Sequence, residues 1–424
     1  MPSSSRIRRI IHTALLANLG EELVKFVRLG SLSARVTRVC GSVTNSDNPA
    51  MRVVLLGTYD LGKPRTRLLR ESLRQIDPQL QELHFSIWHG VEDKSVMTGV
   101  TARLGIVFRL LIAYPVLAAR YLMAGRHDVV VIGYMGLFDM LLLAPLVKVR
   151  GKTVVWDAFL SVYDTYARDR ATSSEGGWKA RALRWMERRA CRIADRVVLD
   201  TQAHAALMGE LHGVPDAKLD AVLVGAEAEV FPAANPGAGD RGGPIEVLFY
   251  GQFIPLHGID TIIAAALDPR GHEFRWTIVG QGQEAARIDA ALSRQPASHI
   301  TRIPWVDYER LSGLMAKADV CLGIFGTSDK AARVIPNKVY QALAAGKPLI
   351  TRASPAMREL ADGDRAGLYL VPGNDPDALL AALERFSGER DDLPANLHAD
   401  LCERFSFPAL VAQWRGVLQR AAKR

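Results

Sequence analysis

The 424-residue chain is short of cysteine, of aromatic side chains and of long unbroken apolar runs. Its four cysteines, Cys40, Cys191, Cys321 and Cys402, stand far apart. They form neither a disulfide framework nor a ligand-like pair for zinc, and a reducing compartment fits them. Aromatics make up 7% and no basic-aromatic platform appears, which argues against nucleic acid as a partner. The most apolar stretch, 104–124, is broken by Arg109, Pro115 and Arg120, so its uninterrupted run is too short to span a bilayer. It reads as a core helix, with a helix in the membrane interface as the alternative. A secretory signal is argued against by His12 and Asn18 inside the first apolar segment and by Glu21-Glu22 after it. The Ser/Arg-rich start leaves a transit peptide as a weaker alternative.

What is present is a globular composition: 49% hydrophobic residues, a mean hydropathy of +0.05 and enough length for two cores. The net charge of +8 sits at the ends. Residues 1–48 carry seven Arg/Lys against three acids, and residues 405–424 carry four with none. Basic termini on a neutral body suit an anionic membrane surface. Residues 1–48 read as a basic N-terminal extension whose Ile7, Ile10, Ile11, Ala14, Leu15 and Leu19 have helical spacing. Ser42–Pro49 reads as a linker, and the Gly/Pro/Ala-rich run 232–244 as a second one.

Between these linkers the pattern alternates strand and helix. Residues 51–56 form a strand that runs into Gly57, Gly62, Lys63, Pro64 and Arg65 and then a helix. This nearly matches the P-loop spacing Gly-x4-Gly-Lys-Ser/Thr, but Pro64 replaces the magnesium-binding hydroxyl and removes an amide donor, so an NTPase is not expected. Strand, glycine loop and helix suit approach to a phosphate, which makes Gly57, Lys63 and Arg65 candidates, with an exposed basic turn as the structural alternative. The strand 152–157 ends in Asp157, a carboxylate placed either for a ligand crevice or for capping the next turn. A second domain opens at Ile245 with a strand and Gly251, Gln252 and His257. Gly280 and Gly282 follow another strand and allow close backbone approach. Asp362 and Asp364 have metal-binding spacing, but they sit among turn residues, and no metal is expected there.

The densest candidate segment is Arg333–Arg352. An apolar strand at 320–325 leads to a polar loop, then a helix opening at Pro336-Asn337-Lys338 and ending at Gly346. Helix-end amides facing a crevice at strand ends suit a phosphate.

This segment resembles the donor-binding segment of the family-4 retaining glycosyltransferases. The resemblance covers most of residues 51–420 and is strongest over 245–373. It implies an α/β fold of two facing Rossmann-like domains (GT-B) with an interdomain cleft: an acceptor domain over 49–230, a nucleotide-sugar donor domain over 245–404, and a last helix, 405–424, crossing back. It implies a metal-independent, retaining transfer of a sugar from a nucleotide diphosphate sugar to an acceptor hydroxyl, with no cofactor beyond that co-substrate. Cell-surface glycan or glycolipid synthesis is expected. The partners expected are a nucleotide-sugar donor, a saccharide or lipid-linked acceptor and an anionic membrane surface. The location expected is cytoplasmic, peripheral at the inner face of the membrane. The family's Glu-x7-Glu falls on Arg333 and Gln341, the glutamine standing where a ribose-binding glutamate usually is. Gln252 and His257 replace the arginine and lysine that neutralise the diphosphate, and Lys330, Arg333 and Lys338 are expected to compensate. Trp305 and Val306 match the segment that reads the nucleobase, Asp157 the position facing the donor sugar, and Gly57, Lys63 and Arg65 the first loop, on the acceptor side. An NDP-sugar epimerase or hydrolase of the same fold, or a catalytically inactive binding module, stays open.

Overall fold

The computed structural model describes residues 51–87, 100–169, 177–227, 229–232, 243–363 and 365–423. The N-terminal extension, most of the 232–244 linker and Asp364 lie outside these residues.

The first sheet is built from β1 (Val53–Gly57), β2 (Gln81–His84), β3 (Val129–Ile132), β4 (Thr153–Phe159), β5 (Arg196–Leu199) and β6 (Leu219–Ala221). All pairs are parallel, in the order β2-β1-β3-β4-β5-β6. Runs such as Val129–Ile132 are apolar at every position because a parallel strand covered by helices is buried on both faces. The covering helices are α1 (Pro64–Ile76), α2 (Val100–Leu122), α3 (Leu137–Leu142), α4 (Ala144–Val149), α5 (Trp178–Ile193) and α6 (Gln202–His212). One face of the sheet packs on α2 to α6, the other on α1 and the final helix.

The second sheet contains β7 (Glu246–Tyr250), β8 (Arg275–Val279), β9 (Ile300–Ile303), β10 (Val320–Leu322), β11 (Leu349–Arg352) and β12 (Leu368–Val371). It is parallel throughout, with order β12-β11-β10-β7-β8-β9. Its helices are α7 (Ile259–Leu267), α8 (Ala285–Arg294), α9 (Tyr308–Lys317), α10 (Asp329–Arg333), α11 (Asn337–Ala344), α12 (Pro355–Leu360), α13 (Pro376–Glu389) and α14 (Ala399–Phe405). The order in which strands are added reverses at the neighbouring pair β7 and β10, so the loops leaving their carboxyl ends splay apart and open a crevice.

The last helix, α15 (Phe407–Ala422), returns to the first domain. It packs on α1 and buries Leu410, Trp414, Val417 and Leu418 against that sheet. The two lobes are therefore joined twice, by the 222–232 segment and by the step from α14 into α15.

Candidate functional site

The crevice at β7 and β10 is centred on Lys338. This residue lies in the first turn of α11, whose Val339, Tyr340, Ala342 and Leu343 are buried, and its side chain turns inward toward the end of β7. The ammonium stands over the Phe249 ring, 3.9 Å from its centroid, and has no hydrogen-bond partner. Burial holds its pKa well below the ordinary lysine value. Its position at a helix amino terminus adds the unfavourable end of the helix dipole.

Gly251 directly follows β7 with φ +148°, and a Cβ there would lie 2.8 Å from the Lys338 nitrogen and 2.9 Å from His257 Cε1. Glycine keeps this floor of the crevice open. His257 Nδ1 pairs with the Gln252 carbonyl, which fixes the ring. Burial, and then the neighbouring Lys338 charge, hold the half-buried imidazole well below its usual pKa. Gln252 itself is exposed.

Between β10 and α11 the polar loop expected from the sequence contains a short helix, α10. Ser328 caps it by accepting from the Ala331 amide, a local signal the Gly326–Ile335 reading passed over. Lys330 is buried and donates to Thr165 Oγ1 of the first domain at 3.1 Å. The Arg333 carbonyl accepts from Thr201 Oγ1 at 2.6 Å, again across the lobes. Arg333 Nη2 lies 3.4 Å from Asp329, while Nη1 is buried and unpaired. Glu359, at the end of α12, caps the amino terminus of α6 by accepting from the amides of Gln202 and Ala203 at 2.7 and 2.8 Å. Lys330, Arg333 and Lys338 therefore share one loop-helix unit facing the carboxyl edge of the first sheet. Asn337 opens α11, half-buried, beside them.

Gln341 differs from its expected role. It is buried, and both ends of its amide are used inside the protein. Tyr250 Oη donates to its carbonyl at 2.8 Å and its nitrogen donates to Tyr308 Oη at 3.0 Å. Tyr308 donates in turn to Glu227 at 3.0 Å, and Glu227 takes two 2.6 Å bonds from Arg67 of α1. Burial raises the Glu227 pKa, but the Arg67 and Tyr308 hydrogen bonds outweigh it and leave the carboxyl below its usual value. This relay joins the lobes through the crossing segment. Glu227 was visible in sequence only as part of that segment, and nothing local linked it to Arg67.

Asp157 and Arg65 also differ from expectation. Asp157 is fully buried in β4 and takes the Arg65 guanidinium through Nε at 3.1 and 3.2 Å and Nη2 at 2.6 Å. Arg65 Nη1 donates to the carbonyls of Val222 and Leu223, and the guanidinium lies between the Phe159 and Trp414 rings. The pair braces β4, α1, α15 and the crossing segment. It presents no carboxylate to a sugar and no cation to an acceptor.

The remaining candidates divide by placement. A Cβ on Gly280 or Gly282 would strike the backbone or ring of the 251–253 loop, so these glycines serve loop-on-loop packing rather than ligand approach. At Gly57 the same space is filled by the Asp139 carboxylate, which also accepts from the Thr58 amide at 2.8 Å. Burial lifts the Asp139 pKa to about 6 against the pull of these bonds. Lys63 is exposed at the amino end of α1, matching the basic-turn alternative. Trp305 is exposed on the loop after β9, and Val306 is half-buried against the second core. No cluster of His, Cys, Asp or Glu among the described residues could hold a metal ion.

Residues 29–225 match the glycosyl transferase 4-like domain, and residues 244–388 match the glycosyl transferases group 1 model. The chain belongs to the group 1 glycosyl transferases. It is 27% identical over 149 residues to WcaL of Escherichia coli, named as a colanic acid biosynthesis glycosyltransferase, covering 34% of this chain and 36% of WcaL. It is 28% identical over 213 residues to the D-inositol 3-phosphate glycosyltransferase of Mycobacteroides abscessus, covering 47% and 46%. The matches thus span less than half the length of these curated relatives. Two solved structures share the fold of this chain. HepE of Anabaena, in complex with UDP, superposes with a TM-score of 0.60 at 12% identity over 87% of this chain and 100% of HepE. The sucrose-phosphate synthase of Thermosynechococcus elongatus gives 0.66 at 17% identity over 87% and 98%.

Proposed function

We propose that the protein is a metal-independent, retaining glycosyltransferase that moves a sugar from a nucleotide diphosphate sugar to an acceptor hydroxyl. The observation that carries this reading is Lys338: a buried, unpaired ammonium at the crevice between β7 and β10, over a floor kept open by Gly251. An anion would satisfy the ammonium and use the first-turn amides of α11, where a helix favours negative charge. Lys330 and Arg333 stand in the same segment and add charge for a leaving diphosphate. UDP in HepE and the glycosyltransferase names of the sequence relatives support the same chemistry.

In this reading the protein positions the reactants and stabilises charge. The acceptor attacks from the face the diphosphate leaves, and the departing phosphate takes the acceptor proton. With Asp157 committed to Arg65, the transfer is not assigned a side-chain base there. The acceptor is a saccharide or lipid-linked saccharide of cell-surface glycan or glycolipid synthesis, met at the inner face of a membrane. No helix among the described residues is long and apolar enough to cross one.

The test is a thermal-shift series with UDP, GDP, ADP and their sugar conjugates, because a ligand that binds only the folded state raises the melting temperature. One nucleotide series is expected to do so without added divalent metal. No shift with any of them at millimolar concentration would overturn the reading.

A further inference from the structure

The helices covering one side of the first sheet leave an unusual outer surface. α2, α3, α4 and α5 all bury their inner faces in the same core, so their outer faces lie on the same side of the domain. Nine of the twelve large apolar side chains exposed among the described residues lie on these helices or directly after one, including Phe108, Leu111, Phe138, Leu142, Trp178 and Trp185.

α5 is the most sharply patterned. Trp178, Arg181, Trp185, Arg188 and Arg192 follow one another at alternating steps of three and four residues, which is one stripe of a helix, and all five are exposed. Trp178 is 70% and Trp185 66% exposed. Lys179 and Arg189 flank the stripe. The helix's one acid, Glu187, is turned inward and held by Ser161 and His212, so it cancels no charge outside. Phe138 and Leu142 sit one turn apart on α3, which packs against α5.

The geometry points to this face as a docking surface for an anionic phospholipid bilayer, with α5 lying in the headgroup layer. Tryptophans belong at that depth, with their rings in the apolar boundary and their N–H groups in water. The arginines alternating with them meet lipid phosphates, and no exposed acid on the helix opposes the approach. A second copy of the chain would bring two like-charged faces together. An RNA or DNA backbone would be met by Leu111 and Leu142, which offer it neither charge nor a stacking plane. The inference deepens the membrane-surface part of the proposed function and does not depend on the donor crevice.

The experiment uses the full chain and two variants, W178S/W185S and R181Q/R188Q/R192Q. Sedimentation with vesicles of phosphatidylglycerol and phosphatidylethanolamine is compared with phosphatidylcholine vesicles. Melting temperature and UDP-induced shift are followed in parallel. The full chain is expected to bind the anionic vesicles, and each variant to partition at least tenfold less with its melting temperature retained. Brominated acyl chains should quench tryptophan fluorescence in the full chain and far less in W178S/W185S. If the tryptophan variant fails to fold, the arginine variant decides. Equal vesicle binding by the full chain and the arginine variant would overturn the inference. So would no vesicle binding, tighter binding to an oligonucleotide than to vesicles, or burial of both tryptophans in a dimer. Loss of the UDP shift alone would count against the donor reading and leave the docking face standing.

Discussion

The Lys338 ammonium faces Phe249 at 3.9 Å and Gly251 at a distance that leaves no room for a methyl group between them. A lone buried cation at the amino end of a helix destabilises the empty protein, and a bound anion would offset that cost. K338M is therefore expected to melt at a higher temperature than the parent protein without ligand. It should also bind nucleoside diphosphate about ten- to hundredfold more weakly, since a charged hydrogen bond is worth roughly 1.5–3 kcal/mol. Isothermal titration and a melting curve check both, and unchanged affinity would remove Lys338 from the site.

The same residue sets a proton linkage. Burial lowers its pKa in the free protein, and a bound diphosphate raises it again. Between those two values binding takes up a proton, so affinity should fall as pH rises through that window. Titration in two buffers of different ionisation heat should reveal the uptake in the parent protein and its absence in K338M.

Restoring a glutamate at Gln341 is expected to harm the protein. The amide nitrogen donates to Tyr308, which donates onward to Glu227. Q341E removes that donor and places a second carboxylate in the relay, at a cost of about 1–3 kcal/mol. Y308F combined with Q341E should recover part of it, and urea midpoints measure the difference.

Asp157 offers a test of brace against base. D157A leaves Arg65 buried without its partner, which typically destabilises by about 3–5 kcal/mol. The paired apolar replacement R65M/D157L should regain most of that. An unchanged denaturation midpoint in D157A would restore a purely chemical role.

Asp139 predicts a pH profile. Its folded pKa of about 6 lies above the ordinary 3.8, so the folded state binds more protons in between. Stability should fall as pH rises from about 4 to about 6 and be flat in this respect above it. The amplitude is on the order of 3 kcal/mol at most. D139N should lose this slope in urea titrations at fixed pH.

Much of the architecture was legible in the chain. Apolar runs such as 129–132 and 320–322 announce buried parallel strands, because covering helices demand apolar residues on both strand faces. The Pro336-Asn337 start of α11 and its Gly346 end were readable from local backbone preferences. Lys330, Arg333 and Lys338 could be grouped as candidates because they fall within one short segment. The five-residue α10 escaped, being shorter than any hydrophobic period can reveal.

What the chain by itself determined is what depends on neighbours along it: strand and helix order, the turns, and hence two Rossmann-like lobes. What only the folded molecule decided is which polar groups meet. Arg65 finds Asp157 across 92 positions and Tyr250 finds Gln341 across 91, and each meeting changes a candidate ligand contact into an internal bond. Those pairings arise when sheet and helices close on one another. Charge and hydrogen bonding act through space, so a side chain's nearest partners are fixed by packing rather than by sequence distance.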